Sequence, residues 1–85
     1  MTLPVVKNEN GAIIFGQRLR ELRKAKKMSQ QQLAFEAEVE RSTIKRIEFA
    51  LASPTLDVLI SISRALGLDV RDLMDDDAIT RSDPK

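Results

Sequence analysis

The 85 residues predict an all-α fold: five short helices around one core. Three observations carry this expectation. Apolar residues recur at three- and four-residue spacing along most of the chain, as one buried helix face requires. No segment alternates apolar and polar residues as a half-buried strand would. Residues that start and stop helices, among them Ser29, Pro54, Thr55 and Gly67, fall between the periodic stretches.

Residues 1–10 contain Pro4 and no helical period, and read as an N-terminal arm. The first helix is predicted from about Ala12 to Lys26, with Asn10 or Gly11 near its start and Phe15, Leu19 and Leu22 as its buried stripe. Ser29 is a favoured N-cap, and Gln32 three residues later completes the pattern of a capping box, so a second helix begins there with Leu33, Ala34 and Ala37 inward. A turn follows at Glu38–Glu40, with Val39 as its apolar plug. A third helix is expected over about Arg41 to Phe49, with Ile44 and Ile47 inside. Pro54 ends helical continuation. Thr55 caps a fourth helix, and Asp57 in its first turn suits the positive end of the helix dipole. Leu56, Leu59, Ile60, Ile62 and Leu66 are read as its apolar side, and Gly67 as its C-terminal cap. Asp69 opens a short fifth helix with Val70, Leu73 and Met74 apolar. Residues 11–74 thus form one domain, and the acidic stretch 75–85, DDDAITRSDPK, reads as a C-terminal tail.

Composition narrows the function. There is no Cys and no His, which removes disulfides, thiol catalysis, redox sensing through cysteine and nearly every transition-metal site. The three glycines are scattered and form no phosphate loop. No catalytic residue and no cofactor is expected, and an effector pocket has no second domain to occupy. No apolar run approaches the roughly 20 residues of a membrane span, and MTLPVVKNEN lacks the apolar core of a signal peptide, so a soluble cytoplasmic protein is the default. Net charge is only +1, but it is unevenly spread: nine Lys or Arg against four Glu from Arg18 to Arg46, then four against eight acidic residues from Ile47 to Lys85. Such asymmetry says more about partners than the sum does.

The stretch SQQQLAFEAEVERSTIKRIE, Ser29 to Glu48, stops a helix and restarts it within about three residues. On a wheel of 100° per residue, Ile44 and Ile47 define the inside of the third helix. Ser42, Lys45, Arg46 and Phe49 then point outward, with Arg41 at the leading end toward one flank. Long cationic donors around a short hydroxyl suit a helix laid in the major groove of B-DNA, about 12 Å wide. The second helix would cross behind it and offer its N-terminal amides, near Ser29 and Gln30, to a phosphate.

The pieces LRELRK, SQQQLA, STIKRIE, PTLDVL and RALGL, in this order and spacing, resemble the lambda-repressor-like, or Xre-type, helix-turn-helix family over roughly residues 12–74. The resemblance implies a sequence-specific transcription regulator that binds double-stranded DNA, commonly as a homodimer on a two-fold operator. It implies that Gln30 contacts phosphate and braces the recognition helix, that Arg41, Ser42, Thr43, Lys45 and Arg46 reach bases or nearby phosphates, and that Arg23 and Glu48 form a partly buried ion pair. Three departures stand out. Glu38 holds the turn position usually held by Gly, at a cost of about 1–2 kcal/mol if left-handed. Glu40 stands where Ser, Thr or Asp would cap. The loop after Glu48 reads Phe-Ala-Leu-Ala where the family is polar with a Gly.

Blander roles stand beside these. The run RLRELRKAKK is a solvated face or a peripheral phosphate contact. Arg41, Lys45 and Arg46 are surface cations unless DNA meets them. Glu38 and Glu40 read as solvent-facing charges, acceptance from a cytosine amino group being the other role open to Glu40. Phe49 and Leu51 pack locally, touch sugar or a thymine methyl, or join a dimer interface. Val70, Leu73 and Met74 are core, with part of the stripe left for a partner. The dimer surface is therefore expected at Leu73, Met74 and Leu51 or Phe49, since a small chain has trouble hiding them all. Asp75–Asp77 is a solubilising run and not a metal site. The alternative function is an antitoxin-like module that binds a protein partner through its termini or fifth helix, with DNA binding secondary.

Overall fold

Five α-helices follow one another in the residues that the computed structural model describes, 9–74: α1 Glu9–Ala25, α2 Gln30–Ala37, α3 Arg41–Glu48, α4 Leu56–Leu66 and α5 Val70–Leu73. Among these residues there is no strand. Residues 1–8 of the expected arm and the expected tail, 75–85, lie outside the described residues. Glu9 and Asn10, assigned to the arm, belong to the first turn of α1, where Glu9 meets the positive end of the helix dipole.

The helix ends follow local chemistry. Ser29 is the N-cap of α2 and its side chain accepts from the Gln32 amide at 3.0 Å. Thr55 does the same for Val58 at 3.2 Å at the start of α4. Asp72 accepts from the Asp69 amide and so closes the first turn of α5. Gly67 ends α4 at φ 71°, a left-handed conformation open to a residue without a Cβ. Lys27, Glu38 and Ala50 take φ 58° without that freedom. Each lies just beyond a helix, where the left-handed turn lets backbone amides reach carbonyls of the last helical turn. Val39 N thus bonds Ala34 O at 3.0 Å, and Leu51 N bonds Arg46 O at 2.7 Å.

The core is formed by Phe15 and Leu19 of α1, Leu33, Ala34 and Ala37 of α2, Ile44 and Ile47 of α3, Ile62 and Leu66 of α4, and Leu73 of α5. α2 packs on both α3 and α4, while α1 packs on α3 and α5. Gly16 permits the close approach of α1 to α3. A Cβ there would stand 2.6 Å from the Ile47 carbonyl oxygen and 2.7 Å from that of Glu48, so α1 lies directly on the last turn of α3.

Two expectations about apolar residues are corrected. Leu56 is 67% exposed and does not join the apolar side of α4. Ile62 and Leu66 set the inward direction, Leu59 lies near it, and at 100° per residue Leu56 falls about 120° from Ile62. Ser63 takes a buried place instead, its hydroxyl satisfied by the Ile60 carbonyl at 2.8 Å. Leu73, a candidate dimer contact, is 0% exposed and belongs to the core. Arg18 fixes it there: its Nε donates to the Leu73 carbonyl at 3.0 Å and its Nη2 to the Asp72 carbonyl at 2.6 Å, pinning α5 against α1.

Candidate nucleic-acid interface

The eight residues of α3 have one buried and one free side. Ile44, Ile47 and Glu48 are buried, while Arg41, Ser42, Lys45 and Arg46 are exposed and Thr43 is half-buried. α3 is about 12 Å long at 1.5 Å per residue, two turns, which matches the width of a major groove. Its candidate contacts spread over the free face. Arg41 lies on the flank toward α2, sharing a shallow depression with Gln31, Ala34, Phe35 and Val39. Thr43 and Arg46 lie on the other flank, against Ala52, Ser53, Pro54 and Thr55 of the loop before α4. Ser42 stands between, its Oγ donating to Glu40 Oε2 over a long 3.4 Å.

The inner side of α3 is held by charge as well as by apolar contact. Arg23 Nε donates to Glu48 Oε2 at 2.6 Å and Arg23 Nη2 to Glu48 Oε1 at 3.0 Å. Arg23 Nη1 also donates to the Met28 carbonyl at 2.8 Å, and Gln30 Nε2 donates to Glu48 Oε1 at 3.1 Å. Both charged residues are 8% exposed. Four elements are joined by this network: α1, the α1–α2 turn, the start of α2 and the end of α3. Among the described residues no buried side-chain nitrogen or oxygen lacks a partner. Gln30 thereby ties the start of α2 to the last turn of α3.

The basic run of α1 divides. Arg18 and Arg23 are spent inside the molecule, whereas Arg20, Lys24, Lys26 and Lys27 are exposed. Among the described residues no group of acidic side chains could hold a metal ion, and no helix is long and apolar enough to cross a membrane.

The candidate apolar contacts separate as well. Phe49 and Leu51 are exposed, Leu51 at 68%, while Met74 is half-buried against the core. Sequence reasoning overlooked Phe35, which is 82% exposed on α2. Its place one residue beyond the inward pair Leu33–Ala34 carried the signal. Gly16 was overlooked too, and no local pattern marks it, because the carbonyls it accommodates come from α3.

Comparison with known proteins agrees with this architecture. A family model described as helix-turn-helix matches residues 19–73. The control protein C.BamHI of Bacillus amyloliquefaciens is 42% identical over 67 residues, 78% of this chain and 83% of that protein. The immunity repressor protein of Bacillus phage phi105 is 32% identical over 68 residues, of which this chain spans 47% of the repressor's length. The crystal structure of the restriction–modification controller protein C.AhdI from Aeromonas hydrophila superposes with a TM-score of 0.72 at 39% identity, covering 73% of this chain and 94% of that one. With its five helices, its exposed basic α3 and a helix-turn-helix match across most of the fold, the chain belongs to the lambda-repressor-like, Xre-type helix-turn-helix family of DNA-binding transcription regulators.

Proposed function

We propose that the protein binds a two-fold operator as a homodimer, with α3 in the major groove of each half-site, and that it regulates restriction–modification genes. The observation that carries the reading is the two-sidedness of α3. Arg41, Ser42, Lys45 and Arg46 are exposed on a helix whose other face is fastened by Ile44, Ile47 and the Arg23–Glu48–Gln30 network. A rigidly held helix can discriminate base edges, because the positions of its donors are set before binding. In this reading Arg41 and Ser42 meet bases, Lys45, Arg46 and Thr43 meet bases or phosphates, and Gln30 meets a phosphate. The kind of gene regulated is inferred from C.AhdI, named a restriction–modification controller protein; C.BamHI is likewise named a control protein.

A homodimer is supported by the apolar side chains left outside. Leu51 and Leu56 are each about two-thirds exposed, and Phe49 more than half. A dimer offers two α3 helices to two half-sites about one turn of DNA apart, which one copy cannot do. The test is a titration of the protein against genomic DNA fragments at several salt concentrations. Tight, sequence-dependent and salt-sensitive binding is expected. Weak binding without preference, with a protein that co-purifies, would favour the second reading, a protein-binding module. Phe35, bare on α2, is the observation on that side.

A further inference from the structure

We infer that Glu40 is a specificity-determining residue of the interface: its carboxylate accepts a hydrogen bond from the exocyclic amino group of a cytosine, at a base pair next to the one met by Arg41. The inference rests on α3 lying in the major groove as proposed above. Glu40 is the last residue of the turn and the N-cap of α3, with φ −74° and ψ 148°. Its side chain makes no capping bond to the helix backbone. The ion pairs among the described residues, Arg23–Glu48 and Arg71–Asp69, do not include it. Its partner is instead the Ser42 hydroxyl at 3.4 Å. Ser42 is on the free face of α3, so this contact places the carboxylate at the mouth of the surface that would meet DNA.

A carboxylate in that position has few acceptable neighbours. Ionised, it only accepts hydrogen bonds, and it is repelled by phosphates. In the major groove guanine presents the acceptors N7 and O6, and thymine presents O4, all of which face a carboxylate unfavourably. Adenine offers its N6 amino group beside the acceptor N7, which suits a carboxamide and repels the second carboxylate oxygen. Cytosine offers the N4 amino group as its only polar group there. Water is displaced when α3 enters the groove, so the wrong base leaves the charge unpaired as well as repelled. The Ser42 donor steadies one oxygen, Oε2, and leaves Oε1 for the base.

The experiment is a binding selection over randomised half-sites with the wild type, Glu40→Ala and Glu40→Gln, with a thermal melt of each variant. The wild type is expected to prefer cytosine at one pair by about fivefold, the lower end for a specific base contact. Glu40→Ala should flatten the choice at that pair alone, and Glu40→Gln should move it toward adenine. Unchanged melting is expected, since Glu40 is exposed and makes no capping bond. If Glu40→Ala keeps every base preference and only raises affinity for all sequences, Glu40 is a repulsive charge and the inference fails alone. If the wild type selects no bases at any position, the proposed DNA reading fails and takes the inference with it.

Discussion

The Arg23 guanidinium and the Glu48 carboxylate meet in two bonds, 2.6 and 3.0 Å long, joining residues 25 positions apart in the chain. The pair is buried, and Gln30 and the Met28 carbonyl occupy part of the bonding capacity that remains. Its consequence is geometric: α3 cannot tilt on α1 without separating two largely buried charges. Removing one partner of a buried pair costs about 3–5 kcal/mol, because the other charge is left behind. A chain of this length has a total stability of only about 4–13 kcal/mol. Arg23→Ala and Glu48→Ala should therefore each lose a large part of the fold's stability in thermal melts. Variants that melt like the wild type but lose DNA affinity would reverse the assignment to a DNA contact.

Glu38 ends α2 in a left-handed conformation, φ 58° and ψ 40°. A side chain there costs about 1–2 kcal/mol relative to a right-handed conformation, and glycine relieves most of it at some cost in unfolded-state entropy. Glu38→Gly should stabilise the protein by about 1 kcal/mol, a rise of roughly 4–8 °C in Tm for a domain of this size. Calorimetry decides it: an unchanged or lower Tm would mean that Glu38 makes a compensating interaction.

Local chemistry made most of the fold legible in the sequence. Ser29, Thr55, Pro54 and Gly67 bound α2 and α4 because caps act over three or four residues, within reach of a sequence pattern. Ile44 and Ile47 likewise set the free face of α3 from spacing alone. What sequence could not supply was set by distant neighbours. Leu73 looked available for a partner, yet the Arg18 guanidinium, 55 positions away, holds its carbonyl and helps keep α5 on the core. Gly16 matters because α3 happens to cross it. Leu56 satisfies helical spacing loosely but falls off the inward arc. At the candidate interface the residue types were visible and the family resemblance implied the Arg23–Glu48 pair, but the division between Arg18, bound to α5, and Arg20 and Lys24, left outside, depended on the folded structure.

Dimerisation should depend on Leu51 and Leu56 rather than Leu73, since only exposed side chains can meet a second copy without unfolding the first. Leu51→Lys and Leu56→Lys are expected to leave thermal stability of the monomer within about 0.5 kcal/mol, the usual range for surface changes. Sedimentation at micromolar concentration should show a wild-type dimer that one or both variants convert to monomer. A wild type that remains monomeric, both free and on DNA, sinks the proposal.

Arg41 and Gln30 should separate into a reader and a holder. Arg41 is exposed at the leading end of α3, and its planar fork can engage O6 and N7 of a guanine together, which Lys cannot. Arg41→Ala should cost about 1–3 kcal/mol on the best site and relax preference at one base pair per half-site. Gln30 differs because its amide already donates to Glu48 at 3.1 Å, which fixes it at the start of α2 where phosphate binding is sequence-blind. Gln30→Ala should weaken binding to all sequences by a similar factor. It should also lower stability by less than Arg23→Ala does, because Glu48 keeps both bonds from the guanidinium. Binding selections over randomised half-sites, with melts of the same variants, measure both. If Arg41→Ala keeps the base preferences while Gln30→Ala changes them, α3 approaches DNA in some other orientation.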